Sequence, residues 1–135
     1  MSADRRAVTA PGAPDAVGPY RHAISAGGLL FCSGQTPLDP ESNELVGGPV
    51  GPQARRCLQN LEAVSAAAGT TLARAVRIGV FMTDLSRFAE LNEAYAAFFA
   101  ELGADDPPAR VTVGVAALPL GAEVEMDAIV ALPAS

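Results

Sequence analysis

All nine basic residues of this chain are arginines, so it contains no lysine. Schiff-base catalysis, a pyridoxal-phosphate lysine and a P-loop lysine are thereby excluded. The single histidine, His22, cannot build a multi-histidine metal site within one chain. No nucleophile elbow stands near it to serve a Ser-His-Asp arrangement. A GxGxxG fingerprint is missing, and the two cysteines, Cys32 and Cys57, lie too far apart for CxxC or zinc spacing. Basic runs are absent as well: Arg5–Arg6 and Arg55–Arg56 are isolated pairs in a chain of net charge −6. Nucleic acid and anionic membrane are poor partners for such a surface. No apolar stretch approaches a membrane span, and the opening residues Met1-Ser-Ala-Asp-Arg-Arg lack an apolar signal-peptide core. A reduced, cytoplasmic location is the expectation. Carboxylates, hydroxyls, thiols, arginine and backbone amides are what remain for chemistry.

What is present is small and apolar. Half of the 135 residues are hydrophobic but only 5% are aromatic, so alanine and valine must build much of the core. The length fits one domain, residues 1–135. So apolar a balance in a domain this size points to further burial in an oligomer. Residues 1–16, rich in Pro, Gly and Ala, read as an irregular arm that closes in the turn Val17-Gly-Pro-Tyr20. Two short apolar runs follow, around Ala23–Ser25 and Leu29–Ser33, and Gly27-Gly28 between them signals a hairpin. Residues 37–52 are loop by composition, with a short turn at Asp39–Asn43.

The spacing predicts a helix from about Pro52 to Ala68, with Ala54, Cys57, Leu58, Leu61, Val64, Ser65 and Ala68 on one stripe. Cys57 therefore reads as a buried structural thiol. Residues 74–82 read as a strand. A second helix is predicted from about Ser86 to Leu102, with Asp84 or Ser86 as N-cap. Its stripe is Phe88, Leu91, Asn92, Tyr95, Phe98, Phe99 and Leu102. Asn92 is out of place there, because a buried amide needs partners; it either ties a loop to the helix or reaches a site at the sheet edge.

Two strands close the chain. Along Ala109–Val115, Arg110 and Thr112 share one face and Val111, Val113 and Val115 the other. Along Glu123–Val130, Glu123, Glu125 and Asp127 oppose Val124, Met126 and Ala128. The short link Leu118-Pro-Leu-Gly121 suggests that these strands pair or lie nearby. The order β-β-α-β-α-β-β describes an α+β sandwich with both helices on one face of a mixed sheet. A guanidinium binds a carboxylate bidentately and cannot act as a base, whereas an acid in the same cleft could orient or deprotonate water. On pattern alone, a surface salt bridge between Arg110 and one of the acids is the better explanation, the acid row reads as a solvated strand face, and the pattern does not by itself make the chain an enzyme.

Four stretches resolve that ambiguity by resemblance: Val17-Gly-Pro-Tyr20, Phe31-Cys-Ser-Gly-Gln35, Phe88-Ala-Glu-Leu-Asn92 with Tyr95 and Phe98-Phe99, and Pro108-Ala-Arg110 with Leu118-Pro119 and Val124-Glu-Met126. In this order and spacing, over about residues 10–131, the chain resembles the RidA/YjgF family of reactive-intermediate deaminases. The resemblance implies a chorismate-mutase-like α+β fold, a homotrimer with sites in the clefts between subunits, and cofactor-free hydrolysis of 2-imino acids and their enamine tautomers to 2-keto acids and ammonia. It implies that Arg110 grips the substrate carboxylate and that Glu125 orients the attacking water or handles its proton. Asn92 matches a further site residue, Tyr20 the aromatic that covers the cleft, and Ser33 with Gly34 the strand motif of the binding site. Thr112 departs from the pattern, since many members carry cysteine there, although its backbone amide could still contribute. Cys32 is expected in the core, His22 on the surface, and Glu123 and Asp127 as solvated or structural acids. Two other roles suit the same residues: a non-catalytic trimer that binds or senses a small carboxylate, and a deaminase specialised for one pathway enamine.

Overall fold

The hairpin signal at Gly27-Gly28 has a direct backbone counterpart, because both glycines adopt positive φ (59° and 79°). That is the conformation a two-residue hairpin turn demands and one that side chains with a Cβ resist. In the computed structural model, which describes residues 4–134, the turn joins β2 (Ala23–Ala26) to β3 (Leu29–Gln35). The other elements are β1 (Arg6–Val8), α1 (Val50–Ala67), β4 (Ala75–Met82), α2 (Phe88–Glu101), β5 (Ala109–Gly114) and β6 (Val124–Ala131). The six strands form one sheet in the order β1-β2-β3-β6-β4-β5. Only β4 and β5 run parallel, with α2 as their crossover.

The helices pack on one face for the reason the periodicity gives. Along β6, Val124, Met126, Ala128 and Val130 are all essentially inaccessible. They meet Ala54, Cys57, Leu58, Leu61 and Val64 from the α1 stripe, each fully buried. Each Leu or Val so removed from water contributes about 1.5–3 kcal/mol. Cys57 is buried within this layer and Cys32 beneath β3. Burial, with Asp127 adding to it, pushes the Cys32 thiol up to about 12, so both cysteines are core thiols as expected.

Three expectations need correction, and one left open is decided. The arm is not wholly irregular: Arg6–Val8 pairs antiparallel with β2 and forms the sheet edge; the arm's first three residues lie outside the described residues. The first helix begins at Val50, two residues early. The second begins at Phe88, because Asp84 caps a separate 3-10 turn over Leu85–Arg87 by accepting from the Ser86 N–H at 3.0 Å. Finally, β5 and β6 do not pair; β4 lies between them. The strand with four buried apolar residues belongs mid-sheet beneath α1, while the crossover helix delivers β5 to the outer edge of β4.

Among the described residues, no helix packs on the opposite face of the sheet. Phe31, Val76, Val111 and Val113 are each about two-fifths to one-half exposed there. These side chains form an apolar patch on a face that also carries Arg77, Glu125 and Asp127.

Candidate functional site

The residues singled out in the sequence fall into two groups on opposite faces of the sheet. The first group surrounds Glu125. Between Cys32 and Gln35 the pairing of β3 with β6 slips by one residue, so Ser33 and Gly34 form a bulge opposite Asp127. The bulge brings Gly34 so close to β6 that a Cβ there would collide with the Glu125 carboxylate. Glycine at this position is therefore a spatial requirement of the acid. The Ser33 hydroxyl donates to the Arg21 carbonyl at 2.7 Å, and its N–H donates to the His22 carbonyl at 2.9 Å.

These residues line a cavity of about 370 Å³. Tyr20, Ser33, Gly34 and Glu125 supply its polar side, and Val17, Leu38, Pro119 and Leu120 its apolar side. Burial raises the Glu125 carboxyl above the ordinary value of 4.5, and the like charge of Asp127 adds to the effect. The phenol oxygen of Tyr20 accepts from the Val17 N–H at 3.3 Å, closing the turn over the cavity mouth. Asn60, fully buried on α1, donates to the Thr36 and Leu38 carbonyls at 3.2 and 2.9 Å and holds the opposite wall. The loop that follows is tied by Gln53 and Arg87, which both donate to the Gly48 carbonyl.

The second group surrounds Arg110 at the helix-facing side of β5. Its Nη2 donates to the Asn92 Oδ1 at 2.7 Å. The guanidinium lies over the Tyr95 ring at 4.7 Å and the Phe88 ring at 5.5 Å, both within cation–π range. Among the described residues no acid forms an ion pair with it; the ion pairs here join Arg55 to Glu101, Arg77 to Asp127 and Arg87 to Glu123. The arginine is thus oriented by an amide and two rings, with its charge left uncompensated. Thr112 sits two residues along the same face, its hydroxyl buried without a hydrogen-bond partner among the described residues. The Tyr95 hydroxyl is in the same condition, and burial lifts it to about 12 despite the opposing pull of Arg110.

Arg110 and Glu125 do not meet within a chain. Arg110 stands beside Ile78 and faces α2, whereas Glu125 stands beside Phe81 on the open face, with β4 between their strands. The misfit of Asn92 on its apolar stripe is explained by its bond to Arg110. Glu123 accepts from Gln53 at 2.9 Å and lies 3.4 Å from Arg87, and Asp127 accepts from the Gly79 N–H, so both serve structure as expected. His22 is a correction: it is buried, not on the surface, because both ring nitrogens are engaged by the arm. The aromatic seat beneath the guanidinium was hidden in the helix stripe, where Phe88 and Tyr95 read simply as core; its signal was the i, i+4, i+7 spacing of Phe88, Asn92 and Tyr95 on one helical face.

Known proteins share this arrangement of elements. A family described as Endoribonuclease L-PSP matches residues 10–132. Protein DfrA of Myxococcus xanthus is 50% identical over 127 residues, 93% of this chain and 94% of its own length. The structure of TdcF from E. coli with bound serine superposes with a TM-score of 0.90 at 38% identity, covering 95% of this chain and 99% of that one. RidA from an Antarctic Psychrobacter superposes with a TM-score of 0.87 at 39% identity, over 94% and 99% of the two chains. With its sheet, its helices and nearly its whole length accounted for in this way, the chain belongs to the RidA/YjgF family.

Proposed function

We propose that this protein hydrolyses small 2-imino acids, with their enamine tautomers, to 2-keto acids and ammonia, in sites completed between copies of the chain in a homotrimer. The observation that carries this reading is the unpaired Arg110, held in place by Asn92, Tyr95 and Phe88. A guanidinium so oriented and lacking an internal counter-charge is built to receive a carboxylate from outside its own chain. The apolar open sheet face gives the trimer a surface to bury, and assembly of this kind would bring one copy's Arg110 to another's Glu125. TdcF, a relative with bound serine, is consistent with a small amino-acid-like carboxylate as ligand. A net charge of −6 disfavours a polyanion such as RNA.

In this reading Arg110 anchors the substrate carboxylate, with Asn92 and the hydroxyl or amide of Thr112 beside it. The imine carbon is then presented to a water at Glu125. Glu125 takes a proton from that water as its oxygen bonds to the carbon of the protonated imine, and the C=N electron pair moves onto nitrogen to leave a neutral amine. Glu125 returns the proton to this amine; as the C–N bond breaks and ammonia leaves, the new hydroxyl gives its own proton to the Glu125 carboxylate and becomes the ketone oxygen. The raised carboxyl of Glu125 suits an acid that both takes and gives a proton. An imine carbon is electrophilic already, so orientation does most of the work. Ser33, Gly34 and Tyr20 shape the acid side, and the Val17, Leu38, Pro119 and Leu120 wall favours a short apolar substrate side chain.

The test generates 2-iminobutanoate in place with an amino-acid oxidase or a dehydratase and traps surviving imine with semicarbazide. Wild type should deplete the imine. Arg110→Ala should lose on the order of 2–5 kcal/mol of anchoring, roughly 30-fold or more in rate. Wild-type rates in that variant would remove the proposed role. A folded trimer that binds 2-oxobutanoate but hydrolyses nothing would instead identify a carboxylate-binding protein.

A further inference from the structure

Both walls of the acid-side cavity are registered on one residue. His22 is 7% exposed and lines the cavity. Its Nδ1 accepts from the Ala10 N–H at 2.9 Å, and its Nε2 lies 2.7 Å from the Pro14 carbonyl oxygen. An amide N–H can only donate and a carbonyl can only accept, so these contacts require the neutral ring with its proton on Nε2. The ring thereby clasps the arm at two points, on either side of Ala13, which is itself buried with Ala10. Immediately beyond the second point, Pro14, Asp15, Ala16 and Val17 form the cavity wall without pairing to any strand. The His22 main chain holds the opposite wall, since its carbonyl accepts the Ser33 N–H and the neighbouring Arg21 carbonyl accepts the Ser33 hydroxyl.

We propose that His22 is a positioning residue for the substrate site: its neutral ring fixes residues 10–17 against the cavity. Leucine can fill the space of the ring but offers neither contact, whereas glutamine offers one acceptor and one donor and can replace the clasp.

The kinetic part of the test rests on the imine-hydrolase reading; the structural part does not. Wild type, His22→Gln and His22→Leu are compared in the full chain by KM and kcat for 2-iminobutanoate, and by amide hydrogen exchange over residues 10–17. His22→Leu should raise KM about tenfold, the size of one buried hydrogen bond lost, with a smaller change in kcat and faster exchange in the arm. His22→Gln should restore both KM and arm protection. Unchanged KM or unchanged arm exchange in His22→Leu would overturn the proposal. So would a His22→Gln variant that recovers neither KM nor arm protection. If wild type hydrolyses no imine, the proposed function fails separately, and the arm exchange of the three proteins decides the role of His22.

Discussion

Gly34→Ala is the most specific perturbation this geometry offers. All three nearest atoms that a Cβ on residue 34 would meet belong to the Glu125 side chain: Oε2, Cδ and Cγ. Overpacking typically costs about 1–3 kcal/mol, but here the obstruction is the free end of a flexible side chain. The carboxylate can swing away, so the stability loss should fall at or below about 1 kcal/mol, the low end of that range. The displacement is what matters for turnover. Moving a catalytic group by about 1 Å costs on the order of 10²-fold in rate, equivalent to about 2.7 kcal/mol of transition-state stabilisation. Gly34→Ala should therefore keep nearly wild-type urea stability while imine hydrolysis falls about a hundredfold. A double-mutant cycle isolates the cause: with Glu125→Ala in the background, Gly34→Ala should add almost nothing to either loss. Full activity in Gly34→Ala, or additive losses in the pair, would refute a carboxylate seated against this glycine.

Two further outcomes follow from the electrostatics. Because burial raises the folded-state Glu125 carboxyl above 4.5, the fold holds this proton more tightly than the unfolded chain does. Stability from this group is thus present at acid pH and is lost as pH rises from the unfolded value through the folded one. Glu125→Gln should accordingly be more stable than wild type at neutral pH, with the gap narrowing in acid, as read by urea denaturation at both; a gap constant with pH would contradict the assignment. Asn92→Leu preserves helix packing but removes the acceptor at 2.7 Å from Arg110. It should raise KM by about tenfold, the cost of about one charge-assisted hydrogen bond, with little change in thermal midpoint; a large stability loss with normal KM would make Asn92 a packing residue only.

Much of this molecule is decided by local pattern. The 3.6-residue stripe placed Cys57, Leu58, Leu61 and Val64 on the buried side of α1, alternation placed Val124, Met126 and Ala128 beneath it, and Gly27-Gly28 marked the hairpin. These are short-range consequences of burying an apolar face, and they can be read from residue order. Family spacing pointed to Arg110, Glu125, Asn92, Tyr20, Ser33 and Gly34 together, yet could not say that one chain holds them in two separate places. That separation arises because β6 inserts between β3 and β4 while β5 is sent to the edge, a choice set by which strand buries more apolar surface over the whole sheet. The fate of His22 was equally invisible: whether an imidazole meets water or two backbone groups depends on where an arm twelve residues away returns. Pairing across the sheet, the bulge at Ser33-Gly34 and the ring beneath the guanidinium depend on contacts distant in sequence, and only the folded chain brings them together.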